Sequence, residues 1–359
     1  MKILVATDAW HPQVNGVVQT LTMMSHATKA LGVEMVFLTP QSFRTVAMPG
    51  YGDIRLALPR PATIARLIEE AKPDAIHIAT EGPIGMLVRR YCRARGIGIS
   101  SSFHTRFPEY VSARLPVPEA WVWAGLRWFH SLSGSVMAAT PPLVQELSER
   151  GFGNVRIWPR GVDARLFRPR IIDLCFPRPV FLSVGRLAVE KNLEAFLELD
   201  LPGTKVVVGD GPQRANLQRR YRDAVFLGEQ FGEQLAETYA AADAFVFPSR
   251  TDTFGLVLLE ALASGVPVAA FPVTGPRDVI GNAPVGVLND DLREACLAAL
   301  TISRDDCRAF ALERSWEASA QAFLNNVLMA ARNHVDAGDP ERIAASRRIS
   351  ARQIGRAHV

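Results

Sequence analysis

The sequence predicts an α/β protein built from two consecutive halves, each organised around a parallel sheet. Short apolar runs alternate with amphipathic stretches along the chain, which is typical of buried strands joined by crossover helices. The alternation stops at a segment rich in proline and arginine, from Arg165 to Pro179, and then starts again. With 359 residues, of which 48% are hydrophobic and 21% charged, the chain is long and apolar enough for two globular domains.

The first half, residues 1–168, is predicted to form one lobe in which strands and helices alternate. Its apolar runs predict strands at Lys2–Ala6, Met35–Thr39, Ile54–Leu58, Ala75–Ala79, Ile97–Phe103 and Ser135–Ala139. The amphipathic stretches between them predict helices at Val18–Leu31, Thr63–Lys72, Ile84–Arg95 and Pro142–Arg150.

The second half, residues 169–315, is predicted to form a lobe of the same kind. Its strands are predicted at Val180–Val184, Lys205–Val208, Val225–Leu227, Ala244–Phe247 and Val266–Ala270. A last helix, over residues 316–336, has apolar side chains at i, i+3 and i+4 spacing and is therefore expected to pack against another element. The Arg-rich tail, residues 337–359, is expected to be frayed.

Composition excludes several classes of protein. The 26 glycines and 24 prolines follow no period, which excludes collagen-like and solenoid folds. No segment is long and apolar enough to predict a transmembrane helix, and the N-terminus lacks the pattern of a signal peptide. The cysteines show no CxxC pairing, so neither a disulfide framework nor a zinc site is expected. We therefore predict a cytoplasmic protein, soluble or bound at a membrane surface.

The first half carries the basic surplus of the chain. Residues 1–168 contain 19 lysines and arginines against 12 aspartates and glutamates, whereas residues 169–359 contain 21 against 24. Four arginines end a predicted helix, and four aromatic residues follow nearby: Arg89, Arg90, Arg93, Arg95, Trp121, Trp123, Trp128 and Phe129. Such residues are favoured where a protein docks on an anionic membrane. The alternative is a solvated helix end with the aromatic rings in the core.

The strongest motif runs from Phe247 to Leu262, where a predicted strand, a turn and a helix follow one another. The start of this helix, near Phe254 and Gly255, offers free backbone N–H groups and suits a diphosphate. Asp252 lies at that entrance, and Glu260, eight residues later, returns to the same helix face. The alternative is that Asp252 only caps the helix and Glu260 is a solvated helix residue.

A second motif follows the first strand of the second half. It places Arg186 and Lys191 in the loop before the next helix, where two cations could neutralise a diphosphate. A surface loop with ordinary ion pairs is the alternative. The turn Gly209-Asp210-Gly211-Pro212, after the next strand, matches only the beginning of the G-x-G-x-x-G dinucleotide motif.

In the first half, Gly16 follows the first strand and leaves room for close approach of a ligand to the backbone, although a plain turn explains it equally well. His104 stands at a strand end, a position that points toward a functional role, although a single histidine is more often structural. The sequence contains no Asp-x-Asp pair, no histidine cluster, no Gly-x-Ser-x-Gly elbow and no Walker loop. It therefore predicts no metal site and disfavours a hydrolase and a P-loop enzyme. The first strand is not followed by a Gly-rich turn, which disfavours a dehydrogenase.

Taken together, the motifs resemble those of the retaining nucleotide-sugar glycosyltransferases of family 4, over nearly the whole chain. The resemblance rests on Asn15-Gly16-Val17, Ala79–Pro83, Phe103–Tyr110, Arg160-Gly161-Val162-Asp163, Gly185-Arg186, Lys191-Asn192, Gly209–Pro212, Asp252 to Glu260 and Ser315-Trp316-Glu317. The family pattern has glutamate at both ends of the x7 spacing, whereas this chain has Asp252 at the first position. The details are similar to a subgroup of bacterial diacylglycerol glycosyltransferases, sulfoquinovosyl-diacylglycerol synthases and GDP-mannose-dependent α-mannosyltransferases.

The resemblance implies the GT-B fold, in which two Rossmann-like lobes face a central cleft and the C-terminal helix crosses back to the first lobe. It also implies a donor site. Arg186 and Lys191 would bind the donor diphosphate, and Glu260 would bind the ribose. Other implied contacts are those of Gly16 with the β-phosphate, of Asp252 with sugar hydroxyls, of His104 with the reacting sugar, and of the backbone at Phe254, Gly255 and Leu256 with the phosphates.

The expected function is transfer of a hexose from a UDP-sugar or GDP-mannose to a membrane lipid, foremost diacylglycerol, with retention at the anomeric carbon. The expected partners are the donor, the lipid acceptor and the anionic inner face of the cell membrane, with no metal, no other cofactor and no nucleic acid. Four alternatives remain open at this point. They are a mannosyltransferase with a different glycan or lipid acceptor, a sugar-nucleotide epimerase, a binding protein without catalytic activity, and a dehydrogenase.

Overall fold

The computed structural model describes residues 1–13, 15–48, 51–104, 117–252 and 254–335, so Thr253, Thr105–Tyr110 and the tail from Ala337 lie outside the described residues. The chain forms two compact units. Unit 1 contains Met1–Pro159 together with the residues from Ser319 onwards, and unit 2 contains Arg160–Ala318. Both units are α/β with a parallel sheet, as predicted.

The described part of unit 1 has a parallel sheet of six strands and a separate antiparallel pair. The strands are β1 (Lys2–Ala6), β2 (Glu34–Leu38), β3 (Thr45–Met48), β4 (Tyr51–Ala57), β5 (Ala75–Ile78), β6 (Ile99–Ser102), β7 (Ser133–Ala138) and β8 (Val155–Ile157). The parallel sheet has the order β2-β1-β5-β6-β7-β8. Strands β5 and β6 are fully buried, and β1 is buried from Ile3 onwards, because helices cover the sheet.

The helices of unit 1 begin at residues that favour helix starts. They are α1 (Gly16–Ala30), α2 (Pro61–Ala71), α3 (Pro83–Arg95), α4 (Glu119–His130) and α5 (Pro141–Glu149). Asn15 caps α1, because its Oδ1 accepts hydrogen bonds from the N–H groups of Val17 and Val18, both at 3.0 Å. Three of the helices start with proline, which needs no N–H partner at that position.

The predicted strand Ile54–Leu58 does not belong to the parallel sheet. It lies in β4, which pairs with β3 in an antiparallel two-stranded sheet, Val46 opposite Leu56. Burial there is mixed, because Arg55 is exposed and Ala57 is buried, and Leu58, directly after the strand, is 56% exposed. A strand of a covered parallel sheet is buried on both faces, whereas exposed side chains of this kind are typical of a strand with one face in water.

Unit 2 contains a second parallel sheet. Its strands are β9 (Val180–Val184), β10 (Thr204–Val208), β11 (Val225–Gly228), β12 (Ala244–Phe247), β13 (Val268–Ala270) and β14 (Gly286–Leu288). The helices are α6 (Glu194–Leu197), α7 (Arg214–Arg220), α8 (Gly232–Ala241), α9 (Leu256–Ala263), α10 (Thr274–Ile280), α11 (Leu292–Ala299) and α12 (Arg304–Leu312). The strand order is β11-β10-β9-β12-β13-β14, so the direction of winding reverses between β9 and β12.

Unit 2 begins at Arg160, whereas we predicted a boundary after Arg168. The residues in question pack within unit 2. The N–H group of Val162 donates to the carbonyl of Arg314 at 2.9 Å, and the ring of Phe167 lies 5.6 Å from that of Tyr239. Val162 and Phe167 both belong to the main core of unit 2, so the segment from Arg160 to Arg168 packs within the second unit.

The last helix, α13 (Trp316–Val335), starts in unit 2 and continues in unit 1. In unit 1, Phe323 is fully buried, with its ring 5.0 Å from that of His77 and 4.9 Å from that of Trp158. The Asn326 side chain donates to the carbonyl of Ile157 at 2.9 Å. The helix therefore crosses back to the first unit, as the resemblance implied, and completes its core.

Candidate active site

The loops after β9 and β12 of unit 2 leave the sheet from neighbouring strands. In open α/β sheets, ligands bind where the winding reverses, outside the carboxyl ends of the strands. The two loops are tied together by hydrogen bonds. The Asn192 side chain donates to the carbonyl of Pro248 at 3.1 Å, and the Ser249 hydroxyl donates to the carbonyl of Glu190 at 3.3 Å. We call the space between these loops the unit 2 crevice.

Lys191 and Asp252 meet in this crevice. The Lys191 Nζ lies 2.6 Å from Oδ1 and 2.8 Å from Oδ2 of Asp252, and the two side chains are 29% and 23% exposed. Asp252 is not the capping residue of helix α9, because that position is held by Gly255. The structure thus places a cation and an anion side by side, in reach of a ligand.

Glu260 lies on helix α9, further along the same motif, and is 5% exposed. The alternative of a solvated helix residue is therefore wrong. Its Oε2 accepts a hydrogen bond from the Tyr239 hydroxyl at 2.9 Å. Burial, together with the adjacent carboxylate of Glu260, raises the pKa of Tyr239 well above its usual value of 10. Tyr239 was not singled out from the sequence, where a tyrosine on an apolar helix face is typical of a core residue.

Glycines let the loops around the crevice pack backbone against backbone. Gly209 has φ +134°, and a Cβ atom there would lie 1.9 Å from the carbonyl oxygen of Gly185. A Cβ atom on Gly275, in α10, would lie 2.7 Å from the carbonyl oxygen of Asp252. The loops that carry Arg186 and Asp252 are therefore supported closely by neighbouring backbone. Arg186 itself is half-buried.

Helix α9 starts at the crevice, directly after the Asp252 loop. Gly255 has φ +81°, which favours glycine, and Leu256 is the first helical residue and is buried. Phe254 is half-buried and packs against the main core of unit 2. The first N–H groups of α9 are the groups to which the resemblance assigned phosphate contacts.

In unit 1, the predicted residues lie after strands of the parallel sheet. Gly16 is the first residue of α1 and is exposed, and a Cβ atom added to it would meet no other atom within 4 Å. His104 follows β6, is half-buried, and has its ring 5.6 Å from that of Trp158. Both positions follow the carboxyl ends of strands, where ligands of such sheets bind.

Asp8 is a residue of unit 1 that the sequence analysis missed. It comes two residues after β1, and its carboxylate accepts hydrogen bonds from the N–H of Ile84 at 2.9 Å and from the Thr80 hydroxyl at 3.1 Å. Burial raises the pKa of Asp8, and the hydrogen bonds from Ile84, Gly85 and Thr80 oppose this effect. Asp8 thus caps helix α3 from a distant loop. In the sequence, the feature that pointed to Asp8 was its position two residues after the first strand.

Three residues of the predicted membrane surface are in the interior instead. Arg89 is 4% exposed, and its guanidinium donates to the carbonyls of Phe129 at 2.8 Å and Trp128 at 2.7 Å. Burial, and then the charge of Arg93, lower the pKa of Arg89. Trp123 is 3% exposed, because its ring stacks on that of Phe103 at 5.9 Å. Phe129 is buried as well.

The other residues of that surface are exposed. Trp121 is 73% and Trp128 50% exposed on helix α4. On helix α3, Arg90, Arg93 and Arg95 are exposed, and Arg95 forms an ion pair with Glu69 at 3.1 Å. The Arg89 guanidinium lies over the Trp128 ring at 3.9 Å and so joins the two helices. We call these exposed residues the basic aromatic surface.

Among the described residues, no three histidine, cysteine, aspartate or glutamate side chains are grouped in a way that could hold a metal ion. None of the described helices combines the length and the apolar character that crossing a membrane requires.

Known families and structures match both units. The family described as Glycosyltransferase Family 4 matches residues 14–166, and the family described as Glycosyl transferases group 1 matches residues 178–305. A GDP-mannose-dependent alpha-mannosyltransferase of Mycolicibacterium smegmatis is 30% identical over 81% of this chain and 84% of its own. An alpha-monoglucosyldiacylglycerol synthase of Streptococcus pneumoniae is 26% identical over 90% of this chain and 83% of its own.

Two solved structures share the fold. Sucrose-phosphate synthase from Thermosynechococcus elongatus has a TM-score of 0.73 at 19% identity and covers 90% of this chain and 97% of its own. Anabaena HepE, solved with UDP and glucose, has a TM-score of 0.69 at 16% identity over 90% of this chain and 98% of its own. The fold is therefore GT-B, with two Rossmann-like domains. The matches of both family models and of the relatives show that the protein is a glycosyltransferase. The chain belongs to glycosyltransferase family 4.

Proposed function

We propose that this enzyme transfers a hexose from a nucleotide diphosphate sugar to a membrane lipid, with diacylglycerol as the first acceptor to test, and that it retains the anomeric configuration. The observation that carries the proposal is the Lys191–Asp252 pair in the unit 2 crevice, with the buried carboxylate of Glu260 in the same motif. The names of two relatives support the substrate classes. One depends on GDP-mannose, and the other makes monoglucosyldiacylglycerol.

In this proposal, the cations of the crevice act on the donor diphosphate. Lys191 and Arg186 bind its oxygens and stabilise the negative charge that develops on the leaving group. Backbone N–H groups at the start of helix α9, around Phe254, Gly255 and Leu256, add partial positive charge. Because Lys191 is held by Asp252 at 2.6 Å, the diphosphate has to share or replace that contact when it binds.

The carboxylates act on hydroxyl groups. Glu260 accepts hydrogen bonds from the ribose, and Asp252 contacts the donor sugar, where its shorter side chain reaches about one methylene less far than glutamate. Gly16 gives the β-phosphate room, and His104 contacts the reacting sugar. No carboxylate is assigned as a nucleophile here, so we propose substitution on one face of the sugar through an oxocarbenium-like state rather than through a covalent intermediate.

The proposal is tested first by a donor panel and then by a transfer assay. A donor at 100 times its dissociation constant should stabilise the protein by about 2.7 kcal/mol. GDP-mannose, UDP-glucose, UDP-galactose and UDP-glucuronate form the panel. The donor that binds is then incubated with and without vesicles that contain diacylglycerol, and NMR gives the anomeric configuration of the product. A protein that binds none of these donors, or converts the donor sugar without an acceptor, would contradict the proposal.

Activity is expected to survive exhaustive treatment with EDTA. The reason is that the proposed charge on the leaving diphosphate is balanced by Arg186, Lys191 and the N-terminus of α9, so the mechanism assigns no task to a divalent cation. The rate of transfer is measured before and after chelation, and again after addition of magnesium or manganese. Loss of activity with EDTA and its return with either metal would disprove this part of the mechanism.

The basic aromatic surface is proposed to bind anionic membrane. Basic residues close to such a membrane contribute about 1 kcal/mol each, so Arg90→Gln with Arg93→Gln should weaken liposome binding roughly 10- to 30-fold. Co-sedimentation with vesicles of anionic lipid, at two salt concentrations, measures the effect, and binding should fall as salt rises. Arg89 is left unchanged, because its buried guanidinium holds helix α4.

Arg156→Gln is the matched control for this experiment. Arg156 is an exposed arginine of the same unit, on the edge strand β8 and not on helix α3 or α4, and its replacement removes one positive charge. It should leave vesicle binding nearly unchanged. If the wild-type protein does not bind anionic vesicles at low salt, or if Arg156→Gln weakens binding as much per removed charge as the double variant does, the proposed membrane contact is wrong.

A further inference from the structure

We propose that Tyr239 is a positioning residue for the donor site, and that its hydroxyl holds the Glu260 carboxylate in the orientation that binds ribose. This inference rests on the proposed role of Glu260. The Tyr239 hydroxyl donates to Oε2 of Glu260 at 2.9 Å, from helix α8 to helix α9. Tyr239 is fully buried and Glu260 is 5% exposed, so the contact is shielded from water.

The surroundings of Tyr239 are apolar. Its ring lies 5.6 Å from that of Phe167 and 5.7 Å from that of Phe245, and all three belong to the main core of unit 2. A buried phenol needs a partner for its hydroxyl, which phenylalanine at the same place would not. A core that only needed an aromatic ring at this position would be served as well by phenylalanine. We therefore attribute the presence of a hydroxyl at this position to its hydrogen bond with the Glu260 carboxylate.

The surroundings of Glu260 lead to the same conclusion. Its neighbours on helix α9, Leu259 and Ala261, are fully buried. A carboxylate among such residues costs free energy unless hydrogen bonds support it, and a hydrogen bond is stronger in an environment of low dielectric constant. The bond from Tyr239 fixes one carboxylate oxygen and with it the direction of the whole group. A fixed direction matters for binding, because a preorganised site loses less side-chain freedom when the ligand arrives.

The state of the hydroxyl suits this task. Burial and the carboxylate of Glu260 both raise the pKa of Tyr239, so the phenol stays protonated and remains a donor at neutral pH. The Tyr239 side chain does not touch the ligand in this arrangement. Its effect on the donor is indirect and passes through Glu260.

Tyr239→Phe tests the inference, because it keeps the ring and removes only the donor. The full-length protein is titrated calorimetrically with UDP and GDP, and with the 2′-deoxy and 3′-deoxy forms of whichever binds. We expect Tyr239→Phe to weaken binding of the ribonucleotide about tenfold, consistent with loss of a hydrogen bond to a charged group. The variant and the wild-type protein should bind at least one deoxynucleotide with the same affinity, because that nucleotide lacks the hydroxyl whose hydrogen bond Glu260 accepts. In the transfer assay, KM for the donor should rise while kcat changes little.

Tyr221→Phe is the matched control. Tyr221 is also a buried tyrosine of unit 2, 8% exposed, and its hydroxyl donates to Oε1 of Glu198 at 2.9 Å. Its replacement removes a tyrosine–glutamate hydrogen bond of the same length with no assigned role in the site. It should leave the affinity for every nucleotide unchanged.

Combining Tyr239→Phe with Glu260→Gln guards against a folding defect, because it removes the buried charge together with the phenol. Since Tyr239 acts through the carboxylate, the double variant should bind the ribonucleotide as weakly as Glu260→Gln alone. Additive losses would overturn the inference, as would wild-type affinity in Tyr239→Phe or equal weakening toward ribose and deoxyribose ligands. If the wild-type protein binds neither UDP nor GDP, the proposed function fails and this inference fails with it. If the wild-type protein binds UDP or GDP but the Tyr239 variants do not show the expected losses, the proposed function stands and only this inference is wrong.

Discussion

Lys191→Ala is expected to lower kcat/KM by about 10²-fold or more, because it removes a cation that stabilises negative charge in the transition state. The free energy of unfolding should change by less than about 1 kcal/mol, because partly exposed ion pairs contribute little to stability. Lys191 and Asp252 are 29% and 23% exposed, so their pair is of this kind. Steady-state kinetics with the preferred donor and urea unfolding of the same preparation measure the two effects. Arg186→Ala should act in the same direction on turnover.

Arg220→Ala is the control for this prediction. Arg220 is a half-exposed cation of unit 2 that pairs with Glu194 at 2.9 Å and Glu198 at 2.8 Å, and it belongs to neither of the two loops that form the crevice. Its replacement removes a positive charge and two ion pairs, and should alter neither turnover nor donor affinity. Wild-type kinetics in Lys191→Ala, or an equal loss in Arg220→Ala, would remove the crevice cations from the mechanism.

Gly209→Ala should produce the largest loss of stability, about 3 kcal/mol or more in the free energy of unfolding. A Cβ atom at this position would lie 1.9 Å from the carbonyl oxygen of Gly185, and its φ of +134° disfavours any side chain. The collision is with backbone, which cannot move aside as a flexible side chain can. Relief requires the loop that carries Arg186 to shift, so donor affinity should fall together with stability.

Gly232→Ala separates the cost of the backbone conformation from the cost of the collision. Gly232 has φ +55°, and no atom lies within 4 Å of a Cβ placed there, so alanine meets a conformational cost without a collision. Such a cost is about 1–2 kcal/mol. Urea unfolding of both variants decides the matter. Equal losses in the two would mean that the backbone conformation, and not the packing of the two loops, limits position 209.

The parallel sheets were predictable from the sequence, because buried strands appear as apolar runs whatever their neighbours are. Prediction failed where burial is partial. Strand β14 and the edge strand β8 were missed, since their side chains are half or largely exposed and leave no continuous apolar run. Strand β4 was found but assigned to the wrong sheet, because pairing depends on partners far along the chain.

For the candidate site, spacing identified residues but not their contacts. The bond between Lys191 and Asp252 depends on the paths of two loops 61 residues apart, which no local pattern describes. Helical periodicity placed Glu260 on a face of α9 but did not say whether that face meets water or core. For the same reason Arg89 and Trp123 were predicted to be surface residues. The partners of Arg89, the carbonyls of Trp128 and Phe129, leave no trace in side-chain composition.

The crossing of helix α13 has a consequence for the order in which a newly made chain can fold. Unit 2 is one continuous segment, Arg160–Ala318, whereas unit 1 needs residues from both sides of it. On a ribosome, the strands β1 to β8 emerge first, but Phe323 and Asn326, which complete their core, emerge after all of unit 2. Domains usually finish folding from the N-terminus as they are synthesised. Here the unit that begins the chain is the last to be finished, and it waits with a part of its interior uncovered until translation is nearly over.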